Sequence, residues 1–161
     1  MVLPQRPYLL PAASVKTNLL YPACDETDPA LWGTPDIELH AALAAVGLTQ
    51  LKDLHTPGGC EGLSPGEQQR MALARLWIRR PALAILDEPT SAVDPTFETS
   101  FFEECAKVQM TLLTVSHRRE VSPHYTHKLR LDGNGAALLS PIDSSKGDDS
   151  SASDDFVHAE H

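Results

Sequence analysis

The chain has 161 residues, of which 42% are hydrophobic, enough for one compact domain with a core of its own. A formal charge of −9 argues against an extended electropositive face, so no nucleic-acid partner is expected, and three widely spaced cysteines (Cys24, Cys60, Cys105) suit neither a disulfide framework nor a cysteine-rich zinc site. Met1 to Leu10 holds two prolines and Arg6 as its one basic residue, which does not read as a signal peptide, and no stretch approaches the ~20 apolar residues that cross a bilayer.

Val2-Leu3 reads as the end of a strand, followed by an exposed loop over 5–11. Residues 12–21 form a short helix with Val15, Leu19 and Leu20 on its apolar side, limited by Pro22. From Cys24 to Pro35, acidic residues alternate with Pro29, Gly33 and Pro35, the composition of an irregular surface segment. Asp36 is expected to cap a helix carrying Ile37, Leu39, Leu43 and Val46, with Gly47 as its stop. A shorter helical piece is expected over 48–54, and a glycine- and proline-rich connection over 55–62.

From Gly66 to Arg79, Met71, Ala74 and Ile78 recur at offsets of three and four, which predicts one apolar helical face, ended by Pro81. Residues 82–86 are a short apolar run followed by acidic and turn residues, which reads as a buried central strand, although the run alone is short enough to be a buried helical turn. Pro95 opens a helix to about Gln109, residues 111–115 are β-prone, and His117 follows them. Residues 128–131 and 136–139 pair as a hairpin around Asp132-Gly133-Asn134-Gly135. This order of elements predicts an α/β core with a helical insertion. Residues 143–161 read as a disordered acidic tail, where six acids against Lys146 carry −5 of the net −9.

Two segments carry chemistry. In Leu63-Ser64-Pro65-Gly66-Glu67-Gln68, a hydroxyl and accessible backbone N–H groups at a helix N-terminus can hold an outer phosphate, and Glu67 suits that neighbour only if it turns away. Alone, the segment is equally a capped surface helix. Asp87-Glu88 closes the apolar run with two carboxylates, which taken alone are equally a solvated strand cap. None of the nine glycines opens a G-x-x-x-x-G-K-[ST] phosphate loop, so the main phosphate grip has to come from elsewhere.

In this order the segments resemble the ATP-binding cassette domain of transporters. Residues 63–68 resemble its signature motif, with Pro65 in place of the first glycine and Glu67 where glutamine is common. Residues 82–88 resemble the Walker B strand, Ser91-Ala92-Val93-Asp94 the D-loop, Thr114-Val115-Ser116-His117 the switch histidine, and Leu3 to Tyr8 the Q-loop. The resemblance runs from Val2 to about Leu139. It implies an α/β fold, an incomplete P-loop NTPase-like cassette core with a helical subdomain over 1–142, lacking the N-terminal phosphate-loop region.

The same resemblance implies ATP and Mg²⁺ as ligands. Glu88, His117 and Gln5 would be catalytic, Ser64, Gly66, Glu67 and Asp94 would bind nucleotide, and Asp87 and Gln5 would serve the metal. In the family's head-to-tail dimer the signature residues face the partner's ATP. A second nucleotide-binding domain and a transmembrane domain are therefore the implied partners, on the cytosolic face of a membrane. The Gln5-Arg6-Pro7-Tyr8 and signature variants resemble the peroxisomal and lysosomal subfamily and its bacterial relatives. The expected function is the C-terminal part of a transporter ATPase domain, with hydrolysis belonging to the complete assembly. The alternative is a non-catalytic protein that docks on an intact cassette ATPase and regulates it.

Overall fold

The computed structural model describes residues 1–24, 26–116, 124–132 and 134–142, and the backbone of 156–159. Strand β1 (Val2–Leu3) leads to α1 (Val15–Leu20), where Ser14 Oγ caps the helix by accepting from the Thr17 amide at 3.2 Å. Val15, Leu19 and Leu20 are buried, as the spacing predicts. The segment expected to be irregular contains one helical turn, α2 (Pro29–Trp32). Asp28 Oδ1 caps it by accepting from the Leu31 amide, and Pro29 fits its first position.

Helix α3 spans Asp36–Ala45, but Asp36 does not cap it. Pro35 occupies the cap position and makes no side-chain bond, while Asp36 lies in the first turn and meets His55 Nε2 at 2.8 Å. Gly47 turns the chain at φ +68°, where a side chain would be strained. The helical piece expected over 48–54 is absent. The Leu51 amide closes a turn on the Leu48 carbonyl, and Asp53 Oδ1 accepts from the amides of His55 and Thr56. Such local side-chain bonds compete with helix, and here they win.

Helix α4 (Pro65–Arg79) packs on α1 and α3. Buried Arg75 donates from Nε to the Asn18 carbonyl (2.9 Å) and from Nη2 to the Tyr8 carbonyl (2.8 Å), and lies over the Tyr21 ring. Burial pulls its pKa down to about 10, with nearby Arg79 adding to the effect. Arg79 Nη2 meets the carbonyls of Leu20 and Tyr21. Two guanidiniums thus fasten α1 and the loop before it to α4 through backbone carbonyls.

Strands β2 (Leu83–Asp87) and β3 (Thr111–Ser116) flank α5 (Pro95–Lys107), and β1, β2 and β3 run parallel. One core joins Leu3, Leu86 and Leu112 of the strands to Leu73 and Leu76 of α4 and Phe101 and Phe102 of α5. The expected hairpin is β4 (His127–Leu131) with β5 (Ala137–Pro141), pairing Leu129 with Leu139. Asp132 Oδ1 holds its turn by accepting from the amides of Asn134 and Ala136.

The described sheet has the order β1-β2-β3-β6-β4-β5, where β6 is Phe156–Ala159, antiparallel to both neighbours. Part of the segment expected to be a disordered tail is therefore a strand. Phe156 and Val157 break the serine and aspartate run with two β-prone residues, and the strand finds ladder partners on both sides. Residues 143–155, 160 and 161 lie outside the described residues.

Candidate functional site

The first turn of α4 is built by a capping box. Ser64 Oγ accepts from the Glu67 amide, while Glu67 Oε2 accepts from the Ser64 amide (2.8 Å) and the Ser64 hydroxyl (2.7 Å). Gln50 Nε2 donates to the other Glu67 oxygen at 2.8 Å. These bonds, Ser64's first, hold the Glu67 carboxyl below the usual glutamate range. Glu67 does not turn away from the turn that could receive a phosphate; it is folded onto the donors of Ser64.

At the far end of β2, Asp87 is exposed and Glu88 is buried at 9% exposure. Glu88 has φ +46°, a left-handed conformation uncommon for a side-chain-bearing residue and shared here with Arg80 and Gln109. Its amide donates to the Val115 carbonyl of β3 at 2.9 Å. The segment behind it is also fastened, since Thr90 Oγ1 donates to buried Glu98 of α5 and Asp94 Oδ1 caps α5 by accepting from the Phe97 amide.

Gln69 joins these two regions. It is 6% exposed, and its Nε2 donates to Ser91 Oγ at 2.9 Å and lies 3.3 Å from the Glu88 carbonyl and 3.5 Å from the Gln5 carbonyl. Its Oε1 accepts from the Ala92 amide at 2.9 Å. Gln69 was not among the residues singled out in the sequence. The signal was present: it lies three residues after Gly66 on a helix that begins at Pro65, so both share one face.

Two adjoining clefts flank this contact. One, of about 370 Å³, is lined by Ser64, Gly66, Arg70 and Asp94 among others, and the second, of about 380 Å³, by Gln5, Gln68, Gln69 and Ser91. Ser64, Gly66 and Asp94 are thus brought together, and Gln5 stands on the other side of the 91–92 segment, which lines both clefts through Ala92. His117 lies outside the described residues, directly after buried Ser116. Among the described residues no three His, Cys, Asp or Glu side chains cluster as a metal site.

The sequence profile of the ABC transporter family matches residues 1–91. The chain belongs to the ABC transporter family. Among ABC transporters, it is 40% identical over 139 residues to human ATP-binding cassette sub-family D member 3, an alignment covering 82% of this chain and 20% of that protein. ABC transporter D family member 2 of Dictyostelium discoideum is 36% identical over 148 residues, covering 89% of this chain and 20% of the relative. An uncharacterized ABC transporter ATP-binding protein of Synechocystis is 33% identical over 149 residues, covering 88% and 21%.

The chain spans about one fifth of the length of these relatives. The subfamily D and bacterial character expected from the Q-loop and signature variants is present in these ABC transporter matches. In fold, the chain is similar to a bacterial Atm1-family ABC exporter with ATP bound, with a TM-score of 0.57 at 23% identity, covering 75% of this chain and 22% of that one. Within the family, the parallel strands and helical insertion are the α/β cassette core that the motif order implies. Among the described residues no helix is long and apolar enough to cross a membrane.

Proposed function

We propose that this chain supplies the signature face and the acidic strand end of an ABC transporter ATPase domain, working with a phosphate-binding loop from outside these 161 residues. The observation that carries the reading is the short path from the first turn of α4 to Glu88, in which the single carboxamide of Gln69 bonds the Ala92 amide and approaches the Glu88 carbonyl. The donor set fits ATP and Mg²⁺. The N-terminus of a 15-residue helix favours an anion, and Mg²⁺ needs one or two carboxylates beside phosphate oxygens and water.

Bound Mg-ATP supplies the transferable phosphoryl group and neutralises its charge. Asp87, exposed at the strand end, would hold the metal, Glu88 would orient the attacking water, and Gln5 would serve as a metal or water ligand. Ser64 and Gly66 face the nucleotide of a second ABC domain. For both Ser64 donors to reach a phosphate, the Glu67 carboxylate has to leave them. The remaining partner is a transmembrane domain, whose transport the assembled ATPase drives.

Phosphate release from Mg-ATP tests the proposal. The purified chain alone is expected to show none above background. Added to an intact ABC nucleotide-binding domain, it should change the rate, and Ser64→Ala in this chain, on the face turned to the partner's nucleotide, should shrink that change by on the order of 100-fold. Turnover by the chain alone, lost in Glu88→Gln, overturns the need for an outside loop. An intact domain indifferent to both forms of the chain overturns the nucleotide-site reading.

A further inference from the structure

The first turns of α4 meet Ala92 at both its carbonyl oxygen and its amide. A Cβ at Gly66 would lie 2.5 Å from the Ala92 carbonyl oxygen, so the two backbones touch as closely as glycine permits. One helical turn later, Gln69 Oε1 accepts from the Ala92 amide. The nitrogen of the same carboxamide reaches the Ser91 hydroxyl and the Glu88 carbonyl. A planar carboxamide cannot move its oxygen without moving its nitrogen, so a shift of Ala92 is felt at Glu88. Glu88 is also held at positive φ, a conformation that persists only where its surroundings enforce it.

We propose that Gln69 is a positioning residue that couples the Gly66 turn of α4, through the Ala92 peptide, to the backbone of Glu88. Its functional meaning rests on the reading of Gly66 and Glu88 as the two halves of a nucleotide site. Through it, displacement of the signature turn by a bound phosphate re-aims the water-orienting carboxylate on the same chain.

The experiment is a mutant cycle on the full chain without nucleotide, so its outcome is independent of the ATPase test. Backbone resonances and amide exchange are followed at Glu88 and Ala92, with Leu76 deep in α4 as a control. Gly66→Ala is expected to shift both Ala92 and the Glu88 carbonyl. In a Gln69→Leu background it should still shift Ala92 but reach Glu88 only in reduced measure, through the Ser91 amide that lies 3.4 Å from the Glu88 carbonyl.

Gln69→Leu alone should speed Ala92 exchange roughly 2- to 10-fold, the loss of one hydrogen bond, while Gln69→Glu keeps the acceptor and restores protection. Neither leucine nor a carboxylate donates, so the Glu88 carbonyl shift should change in both. This single-site pair decides the matter even if Gly66→Ala does not fold. Equal movement of Glu88 in both backgrounds, unchanged Ala92 exchange in Gln69→Leu, or equal acceleration at Leu76 each overturns the proposal.

Discussion

Asp53 shows how much one exposed carboxylate can organise. It accepts from the Thr56 hydroxyl at 2.5 Å and from the amides of His55 and Thr56, and these bonds, the hydroxyl first, lower its pKa from 3.8 to about 2. A depressed carboxylate pKa adds stability that is fully present above the unfolded value and is lost as pH falls through the folded one. Its contribution is therefore complete above pH 3.8 and fades toward pH 2. Thr56→Val removes the largest of the three causes and leaves the two amides. The Asp53 carboxyl, followed by ¹³C titration, should then move up toward 3.8 without reaching it, and an unchanged midpoint would show that the amides alone set it. This turn also explains why no helix forms over 48–54: an aspartate bonding forward to its own backbone leaves almost no trace in hydrophobic periodicity.

Helix α4 was the most legible element, because its start signal, its apolar spacing and Pro81 all agree on one answer. Its attachment to α1 was not legible. Arg75 and Arg79 read as ordinary charges on a helix, and only the fold brings the carbonyls of Tyr8, Asn18, Leu20 and Tyr21 within their reach. Among the described residues no carboxylate bonds buried Arg75, and its planar fork serves two carbonyls and an aromatic face together. Lysine keeps the charge and loses the fork. Arg75→Lys should lower unfolding stability by about 1.5–3 kcal/mol in urea melts with an unchanged denaturant slope. A loss under about 0.5 kcal/mol would mean that the charge, and not the fork, fastens α1. The same distinction runs through the site: Ser64, Gly66, Asp87 and Glu88 stood out by residue type and spacing, whereas Gln69 acquires its role from contacts far apart in sequence.

At the scale of the whole molecule, the sheet changes sense at one place. Strands β1, β2 and β3 are parallel, β4 and β5 are an antiparallel hairpin, and among the described residues β6 is the strand that bridges the two groups. Its ladder pairs Val157 with Val115 on one side and with Leu129 on the other. Val115 is also the residue whose carbonyl receives the Glu88 amide, so the C-terminal strand backs the acidic end of β2 through a single intervening strand. Tyr125, buried against Phe102 and donating to Thr114 Oγ1, gives the hairpin a second anchor. Truncation after Asp155 should therefore leave a folded chain with an opened edge along 113–116. Amide exchange should quicken over 113–116, over 127–129 and at Glu88, while Leu73 and Leu76 of α4 keep their protection, since they lie in the core away from that edge. Unchanged protection at Val115 and Glu88 would show that β3 keeps its geometry without β6. Loss of protection throughout α4 would show instead that the sheet and the helical layer unfold as one unit.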